Sequence, residues 1–381
     1  MPRFDYHLER AGWYDVADDF AQVVGPVSNY PMAYVYGMFL AVSGAVLGRS
    51  TWINYAGDLY ANQFICLVGA SGSHHKSTAM KNAIKTLGEE RTVDGIYQPI
   101  SSLTTSAGLL LMLKNNFGQG LVMLEELADM TRKGRQDYAF DLMSRLVTLY
   151  DCPPVATNST KVDPITVEYP TLTLTSASTQ EWLRSSISNS DMLAGFGNRM
   201  SWILGDPRPI KAWPVKIEME DFSPRWQQLE KFSGEVILDD RARDLWEHWF
   251  AGYMRKQAAA SPFMQTMAER VPDKIVKAAL VSAAWHNTHV VDEGLLEGAV
   301  DWGDYLIESL EKMLPSFGNV EERVLATIKD GDNTKGALHS ALKHEVNGDT
   351  LQRALKTLEW LNLILYVGSS YEVVDKPYIE D

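Results

Sequence analysis

The sequence predicts an α/β fold built on a mainly parallel sheet with helices on both faces. Three short apolar runs indicate strands buried on both sides, at Phe64 to Val68, Leu121 to Leu124 and Thr171 to Thr175. Helical spacing of apolar residues lies between them, at Ser77 to Leu87, Ser106 to Leu113 and Tyr138 to Leu149. Strands that alternate with helices favour parallel pairing, because a parallel neighbour needs a crossover connection.

The chain divides into four predicted segments. We expect an N-terminal helical segment, the α/β core, a helical lid-like region and a C-terminal winged-helix domain, at residues 1–60, 61–210, 211–315 and 316–381. Helical patterns at Asp15 to Val24 and Met32 to Leu47 define the first segment. The run Gly205-Asp206-Pro207-Arg208-Pro209 ends the core, since two prolines so close together continue neither a helix nor a strand. Beyond it the strand signals fade, and the patterns are helical up to Leu314.

The composition indicates an acidic globular protein. The 381 residues include 35 Lys and Arg and 49 Asp and Glu, which gives a formal net charge of −14. A hydrophobic fraction of 45% and a charged fraction of 22% exclude a disordered or coiled-coil protein. A chain this acidic is no general binder of polyanions, so any contact with nucleic acid needs a local basic patch.

Three features favour a cytoplasmic protein without a membrane anchor. The longest apolar stretch, Tyr34 to Gly48, is shorter than the roughly 20 residues of a spanning helix, and we expect a buried helix there. The first ten residues carry charges with no apolar run behind them, unlike a secretory signal. Cys66 and Cys152 are too few for a disulfide framework, and we expect both to be reduced.

The strongest local signal is a small-residue loop between the first predicted strand and the helix that follows. Phosphate binding needs this arrangement, because small residues let backbone N–H groups turn toward phosphate oxygens and a helix N-terminus adds partial positive charge. Lys76 would supply a point cation, and the Ser77 hydroxyl would hold Mg²⁺. The predicted ATP-binding residues are Gly69, Ser71, Gly72, Ser73, His75, Lys76, Ser77 and Thr78.

This loop departs from the usual phosphate-binding pattern at two points. Counted from Gly69, Lys76 arrives one residue late, and His75 stands where such loops have their last glycine. Histidine is among the non-glycine residues that tolerate a positive φ, so the substitution is possible at an energetic cost. The alternative is an ordinary corner between a strand and a helix.

A second signal is the pair Glu125-Glu126, which directly follows the apolar run Leu121 to Leu124. Glu125 would organise the water shell of Mg²⁺, and Glu126 would orient or deprotonate the attacking water as a general base. Glu125 is one methylene longer than the aspartate usual at this place, which would shift the metal contact or insert another water. The alternative is a strand end whose carboxylates simply meet solvent.

Weaker signals flank the third predicted strand. Ser176 follows its predicted end, where a polar side chain would bind the γ-phosphate or the lytic water. Upstream, Pro154 to Glu168 resembles a hairpin with Lys161 near its tip, which would project into a central channel and contact DNA. For Ser176 and for the hairpin, a purely structural role remains the alternative. Strands commonly end in Ser and Thr, and an edge hairpin needs no ligand.

Arg199 lies just before another apolar run, Ser201 to Leu204. Arginine keeps its charge in proteins, and a guanidinium that reaches the γ-phosphate from a neighbouring subunit can neutralise the transition state of phosphoryl transfer. We therefore group Arg199 with Lys76 and Glu126 as the predicted catalytic residues. The alternative for Arg199 is a salt bridge.

Taken in this order, the motifs resemble a family of P-loop ATPases of phages, plasmids and integrated elements, described as helicase or primase-helicase-like proteins. The resemblance covers roughly Tyr30 to Leu310 and rests on Gly44-Ala45-Val46-Leu47-Gly48-Arg49, Val68-Gly69-Ala70-Ser71-Gly72 with Lys76-Ser77-Thr78, Glu125-Glu126 and Gly195-Phe196-Gly197-Asn198-Arg199. It implies a relative of the AAA+ and superfamily 3 helicases, working in a bacterial host cell. It also implies a ring, commonly a hexamer, in which one subunit donates an arginine to the next.

The C-terminal segment has the order of a winged helix, three helices followed by a β-hairpin. Its third helix, Asp349 to Leu361, would be the recognition helix, capped by Asp349 and Thr350, with an exposed polar face formed by Gln352, Arg353 and Lys356. Ser316 to Asp381 contain 7 basic and 11 acidic residues, a balance of −4 that weakens the case for DNA. DNA binding and protein docking therefore both remain open for this module.

The leading functional hypothesis is an ATP-driven, ring-forming DNA motor that needs ATP and Mg²⁺. It would be a replicative helicase or replication initiator of a mobile element, acting on single-stranded or forked DNA in a central channel beside a primase or polymerase. A second hypothesis is an ATP-dependent assembly switch or loader without unwinding activity. A third is a non-enzymatic DNA-binding regulator with a degenerate nucleotide fold.

Overall fold

A computed structural model describes most of the chain. The described residues are 14–25, 29–93, 95–103, 105–127, 137–158, 164–180, 183, 195–205, 212–213, 222–260, 262–313, 318–343, 346–360 and 363–374. The predicted boundaries at Pro207 to Pro209 and at Pro315 lie outside these residues.

Helices lie between the predicted strands of residues 64–204, as expected, whereas residues 51–60 of the predicted helical segment form two strands. The helices are α1 (Tyr14–Val24), α2 (Met32–Leu47), α3 (Lys76–Lys85), α4 (Glu89–Thr92), α5 (Ser106–Asn115), α6 (Asp137–Tyr150), α7 (Gly197–Arg199), α8 (Ser223–Leu229), α9 (Asp240–Ala259), α10 (Pro262–Ala268), α11 (Val271–Trp285), α12 (Glu293–Met313), α13 (Gly318–Lys329), α14 (Lys335–Leu342) and α15 (Gly348–Trp360). The strands are β1 (Thr51–Asn54), β2 (Asp58–Tyr60), β3 (Phe64–Val68), β4 (Gln119–Leu124), β5 (Val155–Asn158), β6 (Ile165–Glu168), β7 (Thr171–Ser178), β8 (Ser201–Leu204), β9 (Gly234–Leu238), β10 (Val290–Val291), β11 (Ile364–Val367) and β12 (Ser370–Val373).

The main sheet has the order β4-β7-β3-β8, and all its strands are parallel. This confirms the predicted α/β fold with a parallel sheet. Every residue of β3 and β7 is buried, as expected of strands covered on both faces. Because parallel strands end at one edge, the segments after β3, β4, β7 and β8 meet there. One strand, β7, separates β3 from β4, so its end lies between theirs.

A second sheet was not predicted. Its order is β10-β9-β1-β2, with β9 parallel to both β1 and β10 and with β1 antiparallel to β2. These strands have two to five residues, too short for an alternating pattern to stand out from the helices around them. The sheet joins residues from both the first and the third predicted segment, so the predicted boundaries at residues 60 and 210 do not separate independent units.

One hydrophobic core extends from Val16 in α1 to Met313 in α12. It includes nearly the whole of α2, which confirms the prediction of a buried helix at Tyr34 to Gly48. Helix α2 packs on β3, β7 and β8. Among the described helices, none combines the length and the apolar composition needed to cross a bilayer.

The C-terminal segment has its own small core, which extends from Val324 to Tyr371. Helices α13, α14 and α15 precede an antiparallel hairpin of β11 and β12, in the predicted order. The predicted cap of α15 was wrong by a few residues, since the Asn347 side chain accepts the N–H of Thr350 at 2.8 Å. The exposed polar face of Gln352, Arg353 and Lys356 is present as predicted.

Candidate functional site

An open cleft of about 550 Å³ lies at the edge of the main sheet where the parallel strands end. Three segments line it: the loop after β3 with the start of α3, the residues after β4, and the end of β7. The lining residues are Ser71, Gly72, His75, Lys76, Ser77, Thr78, Glu125, Glu126, Ala177, Ser178 and Thr179. The structure therefore brings the two strongest sequence signals, the small-residue loop and the Glu125-Glu126 pair, into one cleft.

His75 has a left-handed backbone, with φ 47° and ψ 39°, directly before the first residue of α3. This is the conformation that the sequence required of a residue standing in place of glycine. Gly72 also has a positive φ of 78°. The extra residue is therefore absorbed inside the loop, and α3 still begins at Lys76.

Gly69 and His74 hold the loop against the sheet from behind. A Cβ on Gly69 would collide with the Tyr34 hydroxyl and the His74 ring, so only glycine fits. The buried His74 ring places Nε2 3.2 Å from the Gly205 carbonyl oxygen and Nδ1 3.0 Å from the Ser73 hydroxyl. Gly69 and Ser73, both predicted to bind nucleotide, do not line the cleft. They instead support the residues that do.

Lys76 donates from Nζ to the carbonyl oxygens of Gly69 at 2.8 Å and Ala70 at 3.0 Å. The ammonium group thus bridges two carbonyl oxygens of the loop, and Lys76 still lines the cleft. Among the described residues, the backbone N–H groups of Ser71, Gly72 and His75 donate to no protein acceptor. Together with the first turn of α3, these groups give one wall of the cleft a positive potential.

Glu125 and Glu126 form the opposite, negative wall. Glu125 makes an ion pair with Lys81 of α3, with Nζ 2.6 Å from Oε1 and both side chains about half exposed. Lys81 lies one helical turn after Ser77 and so shares its side of the helix. In the described part of the chain, no three His, Cys, Asp or Glu side chains cluster as a metal site. A metal ion at Ser77 and Glu125 would therefore need oxygen ligands from a bound phosphate and from water.

The prediction for Ser176 was wrong, because β7 is three residues longer than the apolar run suggested. Ser176 lies within the strand, fully buried, and its hydroxyl donates to the Ile65 carbonyl oxygen at 3.1 Å. Ser178 and Thr179 occupy the position at the cleft that was assigned to Ser176. The end of a strand cannot be predicted from where its apolar residues stop. Ser176 and Ser178 are polar, yet both are buried within β7.

Arg199 lies at the opposite end of the main sheet from the cleft of its own chain, one residue away from the start of β8. Its buried guanidinium pairs with Asp151, at 2.6 Å from Nη2 to Oδ2, and also donates to the Gly195 carbonyl oxygen. This geometry favours the alternative interpretation of Arg199 as a salt-bridge residue. Action on the γ-phosphate of a neighbouring subunit stays a prediction and requires that Asp151 release it.

Two lysines of α11, Lys274 and Lys277, are also buried at this end of the main sheet, which sequence reasoning did not recognise. Lys274 donates to the Met200 carbonyl oxygen at 2.6 Å, and Lys277 donates to the Asn62 carbonyl oxygen at 2.9 Å and to Asn62 Oδ1 at 2.8 Å. Burial lowers the pKa of Lys274 to about 7 and that of Lys277 to about 8. The available signal was their position in α11, where few charged residues stand among apolar ones.

The predicted hairpin is confirmed as the antiparallel pair β5 and β6. Arg145 of α6 donates to the Thr157 carbonyl oxygen at 2.9 Å and ties the hairpin to the core. Lys161, the predicted DNA contact at its tip, lies outside the described residues.

No family model matches the chain, and no curated protein matches it in sequence.

Proposed function

We propose that the protein is an ATP hydrolase with an AAA+-like P-loop fold. The observation that carries the proposal is the shared cleft: a phosphate-type loop with free N–H donors on one wall, and the Glu125-Glu126 pair on the other. A buried parallel strand, a loop with two left-handed residues and a helix N-terminus are the parts that hold phosphate oxygens.

In this proposal the triphosphate lies along the loop. The N–H groups of Ser71, Gly72 and His75 donate to phosphate oxygens, and the Lys76 ammonium, already at the cleft, contacts the β- and γ-phosphates. The Ser77 hydroxyl and the phosphates hold Mg²⁺, whose water shell is organised by Glu125. The volume of the cleft, about 550 Å³, is within the range of small-molecule sites.

Glu126 is the proposed general base, which accepts a proton from the attacking water. Glu126 lines the cleft next to Glu125, which supports a role for its carboxylate beside the proposed γ-phosphate. Thr179 and Ser178, which replace Ser176 in this role, would orient that water through a hydroxyl group.

We further propose that ATP hydrolysis drives a ring-shaped DNA motor, a helicase or replication initiator of a mobile element. The order of the motifs and the hairpin between α6 and β7 support this reading, because such a hairpin repeated around a ring would concentrate charge in a central channel. The C-terminal module, interpreted as a winged helix, presents the exposed residues Gln352, Arg353 and Lys356, which suit contacts with DNA.

The decisive experiment compares wild type with Lys76→Ala and Glu126→Gln. We expect Lys76→Ala to lose Mg·ATP affinity in calorimetry, and Glu126→Gln to bind ATP but hydrolyse it at least about 100-fold more slowly. The matched control is Lys85→Ala, which removes an exposed lysine from the same helix. Wild type that binds no nucleotide would overturn the proposal. ATPase activity that forked DNA does not stimulate, without unwinding, would remove the motor but not the hydrolase.

The second candidate function is an ATP-dependent assembly switch or loader. The observation that favours it is the surface of the C-terminal hairpin, where Leu365, Tyr366 and Val367 are all about half exposed. Exposed apolar residues on a hairpin suit a protein partner better than a DNA backbone. If Lys76→Ala abolishes assembly while wild type hydrolyses ATP slowly and never unwinds DNA, this function is the correct one.

A further inference from the structure

In the loop after β3, one side chain is turned toward the protein interior while its neighbours face solvent. Of residues 70–75, His74 alone is buried, with 7% of its area exposed. The same loop is one residue longer than the usual phosphate-binding pattern. A buried polar ring in an otherwise exposed loop needs hydrogen-bond partners, and those partners show what the ring does.

The His74 ring is hydrogen-bonded on both sides. Nε2 lies 3.2 Å from the carbonyl oxygen of Gly205, directly after β8, and Nδ1 lies 3.0 Å from the Ser73 hydroxyl. A carbonyl oxygen can only accept, so Nε2 carries the hydrogen, and in the neutral ring Nδ1 accepts from Ser73. His74 therefore ties the middle of the loop to the end of a neighbouring strand.

Gly205 is a fixed anchor for this tie. Its N–H donates to the Val68 carbonyl oxygen at 3.0 Å, and the Tyr34 hydroxyl donates to the same oxygen at 2.7 Å. A Cβ on Gly205 would collide with Pro31 and Tyr34, so the backbone is packed closely against α2 and the residue before it. The acceptor of the His74 hydrogen bond thus belongs to the protein core and not to the loop.

The other hydrogen bonds of the loop give it no such support. Ser73 donates its N–H to the Ser71 carbonyl oxygen at 3.0 Å, within the loop itself. Lys76 bridges the Gly69 and Ala70 carbonyl oxygens. In the part of the chain that the structure describes, no hydrogen bond of residues 70–73 reaches the sheet. Once Lys76 turns to a phosphate, as the proposed function requires, its two bonds to the loop are lost.

We propose that His74 is a positioning residue, which keeps the loop in its phosphate-binding shape after Lys76 has left its carbonyl partners. Since the role concerns phosphate binding, it rests on the proposed function. The His74 ring does not touch the phosphates. It acts through the N–H groups of Gly72 and His75, which lie on either side of Ser73 and His74 in the chain. The loop is one residue longer than usual because one of its residues serves as an internal anchor.

The first test combines the kinetics of ATP hydrolysis with calorimetry of inorganic tripolyphosphate in the presence of Mg²⁺. We expect His74→Ala to raise the KM for ATP and the Kd for tripolyphosphate about tenfold each, with kcat changed less than about twofold, because one anchoring hydrogen bond is lost. The two losses should be equal, since the anchor acts on the phosphates alone. The matched control is His289→Ala, which removes a ring with Nε2 2.9 Å from the Ser233 carbonyl oxygen, beside the second sheet. It should leave both constants unchanged.

The second test separates the two hydrogen bonds of the ring. The amide nitrogen of His74→Gln lies near the place of Nε2 and can donate to Gly205, whereas the shorter side chain of His74→Asn reaches only Ser73. We expect His74→Gln to restore KM to within about threefold of wild type and His74→Asn to resemble His74→Ala. Melting temperatures show whether each variant is folded, and the Gln and Asn variants decide the matter if His74→Ala does not fold.

The outcomes distinguish the anchor from the ATPase itself. Wild-type KM and Kd in His74→Ala, or equal constants in the Gln and Asn variants, would overturn the role of His74 and leave the ATPase intact. A wild type that binds neither ATP nor tripolyphosphate would overturn both.

Discussion

The two ends of the main sheet use charged residues in opposite ways. Where the parallel strands end, Lys76, Glu125 and Glu126 line an open cleft, and the Lys81–Glu125 pair is half exposed. Where the strands begin, Lys274 and Lys277 are fully buried and donate to backbone oxygens of neighbouring segments. If the proposed function is correct, chemistry and stability are separated along the strand direction. A charge at the first end is available to a ligand, and a charge at the second end is used by the fold.

The difference follows from desolvation. A buried ammonium group must find acceptors within the protein, or its burial costs several kcal/mol. Lys277 finds two oxygens of Asn62 and the face of the Tyr150 ring, 3.9 Å from its Nζ. The charged groups at the cleft are partly exposed, so the exchange of a protein partner for a phosphate or metal would cost them little. Substitutions at the two ends should therefore separate stability from activity.

The largest expected effect on stability is that of Lys277→Ala. The substitution leaves both Asn62 oxygens without their donor and creates a cavity beside Tyr150, so we expect a loss of about 3 kcal/mol in the free energy of unfolding. Urea unfolding followed by tryptophan fluorescence measures it. The cleft-end counterpart, Lys76→Ala, loses two hydrogen bonds at a partly exposed site, so it should cost only about 1 kcal/mol of stability and should abolish nucleotide binding. Equal losses of stability at both ends would contradict the comparison.

The main sheet could be predicted because its strands are short apolar runs that end in turn residues. Phe64–Val68 has the predicted bounds in the structure, since burial on both faces leaves an unbroken apolar signal. The second sheet could not be predicted, because Thr51–Asn54 and Val290–Val291 both pair with β9, which is distant from each of them in the chain. Pairing of this kind leaves no local pattern.

The next largest effect is a pH dependence of the free energy of unfolding, caused by the two lysines at the buried end of the main sheet. The folded-state pKa values, about 7 for Lys274 and about 8 for Lys277, lie below the usual 10.5, chiefly through burial, with Asp273 opposing and Arg270 adding to the shift. Unfolding therefore takes up protons above pH 7, and raising the pH disfavours unfolding. We expect the free energy of unfolding to rise by about 2 kcal/mol between about pH 7 and pH 8.5.

Denaturant titrations across that interval measure this dependence. Burial raises the pKa of Cys66 and Cys152, which acts in the opposite direction at higher pH and sets the upper limit of the interval. Lys274→Met and Lys277→Met should each flatten the slope. A stability that falls from pH 7 to pH 8.5 in wild type would show that the two ammonium groups are not buried as described.

Much of the candidate site could also be predicted, for a geometrical reason. The loop after β3 and the glutamates after β4 had to meet, because parallel strands share an edge. The ion pair of Lys81 with Glu125 and the burial of Ser176 could not be predicted, since each depends on the register between distant segments. The ion pair of Arg199 could not be predicted either, because its partner Asp151 precedes it by 48 residues.

A smaller effect is expected from His75→Gly in the loop. Glycine adopts the left-handed conformation of residue 75 without the Cβ clash, so the variant should be more stable than wild type by about 1 kcal/mol. Thermal and urea unfolding both measure it. The comparison variant His75→Ala keeps the Cβ and should show no such gain. If His75→Gly were less stable than wild type, the imidazole would have to make a contact that stabilises the fold by more than the left-handed backbone costs.

The smallest effect on stability is expected for Lys81→Met, at the cleft. Its ion pair with Glu125 is about half exposed, so removing it should cost no more than about 0.5 kcal/mol, and the difference should vanish in 1 M salt. The same change frees Glu125 from a competing cation, so the Mg²⁺ concentration for half-maximal ATP hydrolysis should fall about two- to threefold. Lys85→Met, one turn further along α3, is the matched control and should leave the Mg²⁺ dependence unchanged. If Lys81→Met were instead to cost as much stability as Lys277→Ala, the two ends of the sheet would not differ in the way their burial implies.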